Sequence, residues 1–158
     1  WCFRITGGLI VMKENIILNE KLIAIIIRSQ FSKDGIEFFT PNDFSQQLGY
    51  MKRKKGHQIE PHIHNSVSRE IMLTQEVLFI KSGKVRVDLY DDYKKYYESR
   101  ILNRGDVILL ANSGHGIAVL EESEMIEVKQ GPYLEKDDKV RFDAVEEEKV
   151  IIKGEKNG

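Results

Sequence analysis

The chain has 158 residues and a formal net charge of −1, with 24 Lys and Arg against 25 Asp and Glu. Hydrophobic residues make up 41% and charged residues 31%, which is typical of one globular domain and excludes a disordered or fibrous chain. The balanced charge argues against a nucleic-acid or anionic-membrane surface. A single Cys excludes an internal disulfide and a thiolate zinc cage, and no apolar run approaches the roughly 20 residues of a membrane span. We therefore expect a cytoplasmic protein without nucleic-acid or membrane partners.

The first eleven residues differ from the rest, because they contain the only Trp and the only Cys, Trp1 and Cys2, and precede Met12. We interpret residues 1–11 as a leader or a vector-derived segment, with a genuine N-terminal strand as the alternative. They lack the longer apolar stretch and the small-residue cleavage site of a signal peptide. Residues 12–158 are predicted to form a single domain whose tail, from Val145, is a short strand or helix followed by a frayed end.

Short strands separated by turn signals run along the body of the chain. A run of β-branched residues predicts a buried strand at 21–28, and clean alternation of polar and apolar residues predicts a strand at 85–90. The further predicted strands are 36–40, 76–80, 96–102, 107–110, 117–120, 125–129 and 140–142. Since helical periodicity is almost lacking, the sequence predicts an all-β barrel or sandwich.

The histidines and one glutamate form the main chemical signal. His62 and His64 are two residues apart, so on a strand both imidazoles point to one face. Glu76 begins an apolar run, and its burial requires a cation close by. His115 follows a turn and precedes a strand, so it can reach the same interior. Imidazoles with a carboxylate suit a divalent metal, whereas the alternative is a set of ordinary hydrogen-bonded histidines.

Two spaced motifs resemble those of the cupin superfamily. Gly56 is followed by five residues and His62-Ile63-His64, and Glu76 is followed by six residues and Gly83, as in the first cupin motif. The run from Gly105 to His115 resembles the second motif. The resemblance spans roughly residues 44–130. It implies a double-stranded β-helix, the cupin jelly-roll barrel, with His62, His64, Glu76 and His115 as the ligands of a Zn, Fe, Mn or Ni ion.

Three departures from the cupin pattern affect these assignments. The gap between His64 and Glu76 is longer than usual, so Asn65–Thr74 is predicted to form an extended loop over the barrel mouth, with Glu70 and Gln75 as alternative ligands. In the second motif Ala111 stands in place of Pro, the turn Gly is displaced to Gly114, and His115 comes one residue early. His57 precedes His62 by five residues, which places it on the opposite strand face without a ligand role.

Three further residues are candidates for substrate binding. The run Lys52-Arg53-Lys54-Lys55 is either a solvated turn or a basic rim that attracts an anionic substrate, with Lys52 at its start. Lys129 and Tyr133 flank a Gly-Pro turn, where they either end a strand or take part in proton transfer beside the metal.

The resemblance implies a metal-dependent enzyme that acts on a small polar metabolite, such as a carbohydrate or sugar phosphate, in an isomerase-like, epimerase-like or dioxygenase-like reaction. The alternative is a non-catalytic metal-binding or sugar-binding cupin module, because the fold alone does not select a function. We also expect a homodimer, since Ile25–Ile27, Val77 and Phe79 offer more apolar surface than one small barrel buries.

Overall fold

The computed structural model of the chain describes residues 12–134 and 138–154, so the predictions for residues 1–11 and for the end of the tail lie outside the described residues. Within the described ranges the only helical element is a 3₁₀ turn at Glu147–Lys149, which confirms the all-β prediction. None of the helical structure in these ranges is long and apolar enough to cross a membrane. The nine strands are β1 (Lys13–Leu18), β2 (Lys21–Ile27), β3 (Gly35–Phe38), β4 (Gly49–Lys52), β5 (Glu76–Tyr90), β6 (Tyr96–Asn103), β7 (Val107–Leu110), β8 (Gly114–Lys129) and β9 (Ile152–Lys153).

Most predicted strands are present, but their boundaries differ in an informative way. The runs 76–80 and 85–90 belong to one strand, β5, and the runs 117–120 and 125–129 belong to β8, because the turn-like residues between them bend each strand without ending it. The predicted strand at 140–142 is wrong, since these residues have no strand partner. The strand expected around His62 and His64 is also wrong, because residues 53–75 contain no strand.

A seven-stranded sheet forms the body of the molecule. Its strands follow the order β1-β2-β7-β5-β6-β9, and β8 pairs with the other edge of β5. β6 and β7 lie one after the other along the same edge of β5, while β3 and β4 form a separate hairpin. The sheet curls into a half-barrel, and the complete jelly roll that the resemblance implies stays a prediction. Among the described residues, no strand pairs with the outer edge of β8.

The curl of the sheet depends on a bend in the antiparallel pair of strands β5 and β8. The pairing register between the two strands is irregular from Ile80 to Val85. Gly83 lies at the bend with φ of 81°, and a Cβ atom there would lie 2.2 Å from the carbonyl oxygen of Glu122. An L-residue is therefore excluded both by the backbone conformation and by the close approach of β8. Asp106 stands on the other edge of the bend, where the Ile80 amide donates to its carbonyl oxygen at 3.0 Å.

The two faces of the sheet carry separate apolar cores. The inner core lies inside the half-barrel and includes Ile26, Ile80, Val87 and Ile108. The outer core is covered by the β3–β4 hairpin and its flanking loops, and it consists of Ile25, Ile27, Phe39, Leu109 and Ala111, with Phe31, Phe44, Leu48, Tyr50 and Val77 packed against it. Strands that are apolar on both faces are thus covered within the chain itself.

The C-terminal strap, which we define as residues 138–154, crosses the outside of β5 and β6. Arg86 is buried on β5 and donates two hydrogen bonds to the Glu147 carboxylate, at 2.6 and 2.8 Å. The Val145 amide donates to the Tyr90 hydroxyl at 3.0 Å, and β9 extends the sheet beside β6. The bidentate Arg86–Glu147 pair, in which Arg86 is buried and Glu147 is exposed, is the main polar anchor of the strap.

The bend predicts a large cost for any side chain at Gly83. We expect Gly83→Ala to lower the free energy of unfolding by about 3 kcal/mol or more, from backbone strain and a clash with β8. Gly56→Ala is the matched control, because Gly56 also has positive φ, at 88°, but has open space around its Cα. We expect the control to cost about 1 kcal/mol. Urea unfolding measures both, and equal costs would contradict a close approach at the bend.

The strap is predicted to loosen in acid. Its hydrogen bonds with Arg86 hold the pKa of the Glu147 carboxyl below the usual range. This contribution to stability is therefore present above the ordinary carboxyl pKa and is lost as the pH falls through the lowered pKa of the folded state. NMR shifts of the Val145 and Ile151 amides should report the loosening. Glu147→Gln should abolish this pH dependence, and Glu148→Gln, a neighbouring exposed position, should leave it unchanged; the opposite result would refute the anchor.

Candidate functional site: a glutamate–histidine pair on the inner face

Glu76 and His115, both predicted as metal ligands, meet on the inner face of the half-barrel. The distance between His115 Nε2 and Glu76 Oε2 is 3.0 Å, and the two side chains are 31% and 16% exposed. Glu76 shares its face of β5 with Leu78 and Ile80, which belong to the inner core. The side chain is therefore polar at the end of an apolar surface, where it needs a charged or hydrogen-bonding partner.

The bend explains how two distant positions come together. Glu76 pairs with Lys129 at one end of the β5–β8 strand pair, and His115 pairs with Leu89 at the other. On a straight strand, Glu76 and Leu89 would lie about 40 Å apart, at about 3.3 Å per residue. Since the side chains of Glu76 and His115 are in contact, the paired strands β5 and β8 must bend together at Gly83 so that their two ends approach each other. The contact is thus a direct consequence of the bend.

The inner face is open beside His115. Ile117 and Val119 point to the same side of β8 as His115, because they pair with Val87 and Val85 of the inner core. Their exposed fractions are nevertheless 41% and 59%. The glutamate–histidine pair therefore lies next to an accessible apolar surface.

Lys129 and Tyr133, the two predicted substrate-binding residues, lie beside this pair. Lys129 Nζ is 3.9 Å from Glu76 Oε1 and forms an ion pair with Asp138. The ammonium also lies 5.1 Å from the centroid of the exposed Tyr133 ring, within the range of a cation–π interaction. The structure thus brings four of the seven predicted site residues together.

The surrounding groups keep Glu76 ionised. The hydrogen bond with His115 lowers the pKa of the Glu76 carboxyl, burial opposes this effect, and the charges of His115, Lys129 and Lys139 lower the pKa further. The carboxylate therefore stays charged at neutral pH.

The structure does not bring His62 and His64 to Glu76 and His115. Both imidazoles are exposed, and their ring centroids lie 5.1 Å apart in an edge-to-face arrangement. His62 Nδ1 lies 2.9 Å from the carbonyl oxygen of Glu60 and is engaged in that hydrogen bond. Nε2 is therefore the ring nitrogen that could coordinate a metal. In the ranges 12–134 and 138–154, no three His, Cys, Asp or Glu side chains are grouped closely enough to hold a metal. Since residues 61–64 are not a strand, the alternation argument, including the opposite orientation of His57, does not apply.

The Glu76–His115 pair nevertheless fits one side of a metal centre. Two donor atoms that bind one ion at about 2.1 Å and at right angles lie about 3.0 Å apart, close to the separation of Nε2 and Oε2. The pair alone supplies two of the four predicted donors. The remaining two would have to come from the exposed segment 53–75.

The other predicted residues lie elsewhere. Lys52 Nζ contacts Asp34 at 3.2 Å at the end of the β3–β4 hairpin, and the basic run that follows is exposed. Gln75 is buried on the outer face, where its side-chain oxygen accepts hydrogen bonds from Ser45 and from the Gln46 amide. A pocket of about 500 Å³ lies there too, lined in part by Glu70 and Gln75, but neither Glu76 nor His115 lines it. These contacts do not favour Glu70 or Gln75 as alternative ligands.

Asp138 is the site residue that the sequence analysis missed. Its side chain is 4% exposed and pairs with Lys129. In the sequence it lies in the run Glu135-Lys136-Asp137-Asp138-Lys139, whose mixed charges are those of a solvated turn. No local pattern distinguishes Asp138 from its neighbours, so only the folded chain identifies it.

Comparison of the chain with protein-family models, with curated proteins and with solved structures finds no match.

Proposed function

We propose that the protein binds a divalent metal ion on the inner face of the half-barrel and uses this centre to bind and transform a small polar metabolite. The observation that carries the proposal is the 3.0 Å approach of His115 Nε2 to Glu76 Oε2, since a buried carboxylate beside an imidazole is a donor pair for such an ion. The cupin resemblance of the motifs that contain both residues is part of this proposal.

Completion of the site requires His62 and His64 to approach the inner face. Both lie in the segment from Arg53 to Thr74, in which no residue is itself buried. The twelve residues from His64 to Glu76 span up to about 40 Å when extended, which is ample for His64 to reach Glu76.

The residues around the pair suit a substrate with hydroxyl and anionic groups. Held by Glu76 and His115, a divalent ion would supply a Lewis acid that could polarise a carbonyl or lower the pKa of bound water. Lys129 offers an ammonium on one side, and the exposed Tyr133 ring offers a flat apolar face that can stack against a sugar ring. A carbohydrate or sugar phosphate is the substrate class we propose, and isomerisation or epimerisation is the reaction type that needs only proton transfer at such a centre.

A non-catalytic binding module is the second candidate. It is favoured by the way the charged groups already satisfy one another, with Glu76 bonded to His115 and Lys129 paired with Asp138. A protein of this kind would hold the ligand without an unpaired acid or base to act on it. Turnover of sugar phosphates by the metal-loaded protein separates the two candidates.

A homodimer and a cytoplasmic location also remain proposals. The sequence argument for the dimer changes, because Ile25, Ile27 and Val77 are covered by the β3–β4 layer. Phe79 and Ile126 pair with each other on the outer face and are 38% and 53% exposed, so they remain as apolar surface for a partner. Light scattering of the parent protein and of Phe79→Asp tests this. We expect a dimeric parent and a monomeric variant, and a monomeric parent would exclude the dimer.

Metal titration tests the proposed centre. We expect Glu76→Gln and His115→Ala each to weaken Mn²⁺ or Zn²⁺ binding by more than about tenfold in calorimetric titration, because each removes a ligand. His62→Ala and His64→Ala should also weaken binding, because the pair alone leaves the ion under-coordinated. His57→Ala is the matched control and should bind the metal as the parent does.

Two results would contradict the assignment in different ways. If His57→Ala loses the metal while His115→Ala keeps it, the register of the second motif is wrong. If none of the variants binds less tightly than the parent, the centre does not exist. Circular dichroism of each variant establishes that a loss of binding is not a loss of the fold.

A further inference from the structure

We propose that Asp138 is a positioning residue that holds the Lys129 ammonium away from Glu76 and thereby keeps the Glu76 carboxylate available for a divalent cation. This inference rests on the proposed function, because it concerns the metal affinity of the same pair.

The strand register places Lys129 where it would otherwise bind Glu76 itself. The two residues are directly opposite each other in the β5–β8 ladder, so their side chains emerge side by side. Their charged atoms are nevertheless 3.9 Å apart, longer than a hydrogen bond, while the ammonium contacts the Asp138 carboxylate. Lys129 is thus drawn to one of two carboxylates within its reach.

Burial makes this competition strong. The exposed fractions of the three side chains are 16% for Glu76, 19% for Lys129 and 4% for Asp138. Water and salt therefore screen these charges less than they screen surface ion pairs. Among the described residues, Glu76 is the other carboxylate within 4 Å of this ammonium. An ammonium released from Asp138 would therefore compete with a divalent ion for the Glu76 oxygens.

The strap determines where Asp138 lies. Four residues further on, the Phe142 ring packs edge to face against Tyr90, with 4.9 Å between ring centroids. A Cβ atom added at Gly114, the residue before His115, would lie 3.0 Å from the Phe142 ring. The strap therefore contacts the start of β8, which carries His115, and supplies the carboxylate that holds Lys129.

Four variants test the inference, with Zn²⁺ or Mn²⁺ alone as the ligand in calorimetric titration. We expect Asp138→Asn to weaken binding roughly 10- to 100-fold, the usual effect of removing a residue that supports a metal ligand. Lys129→Met should bind the ion as tightly as the parent or tighter. The double variant Asp138→Asn/Lys129→Met should regain the affinity of Lys129→Met. Asp143→Asn is the control, because Asp143 is an exposed carboxylate of the same strap.

The double variant separates positioning from a structural role. If it binds as weakly as Asp138→Asn, Asp138 acts through the fold and the inference is overturned. An unchanged affinity of Asp138→Asn, or a loss above tenfold in Lys129→Met, overturns it as well. Should Asp138→Asn fail to fold, Lys129→Met alone decides between these outcomes. A parent that binds neither metal refutes the proposed function together with this inference, whereas a parent that binds while Asp138→Asn is unaffected refutes the inference alone.

Discussion

The rest of the structure depends on the close approach of β5 and β8 at Gly83. A residue with a side chain does not fit there, because φ is 81° and the carbonyl of Glu122 occupies the place of a Cβ atom. Without the bend, a strand pair of this length would be a straight two-stranded ribbon, with Glu76 and His115 at opposite ends. With it, the ribbon curls, the inner core closes on one side, and the two polar ends meet. One backbone position therefore connects the fold to the candidate site.

Around this pair, charge is arranged in a chain of contacts. His115 lowers the pKa of Glu76, Lys129 lies on the other side of the carboxylate, and Asp138 neutralises Lys129. The strap that supplies Asp138 is itself anchored by the buried Arg86. A cation site on the inner face would thus be supported from the outer face of the same sheet.

Local patterns in the sequence were enough to predict the all-β fold and most of the strands. The alternation along 85–90 and the apolar run at 21–28 are patterns of residues that are neighbours in the chain. The sequence alone therefore shows both of them. The Glu76–His115 contact was predicted from the motif resemblance alone, because the two positions lie 39 apart in the sequence and only the bend brings them together. The His62-Ile63-His64 pattern was misleading for secondary structure, since period two alone does not provide a strand with a partner. Asp138 could not be predicted from the sequence, because what marks it out is its ion pair with Lys129 in the folded chain.

Paramagnetic broadening by Mn²⁺ tests whether the bend creates a cation site at His115. Substoichiometric Mn²⁺ broadens the NMR signals of nuclei close to the ion, so the four histidine side chains report its position without any substitution. We expect the ring signals of His115, His62 and His64 to broaden first and those of His57 to persist. Sharp His115 signals beside a broadened His57 would contradict it, because the ion would then bind the exposed segment and not the inner face.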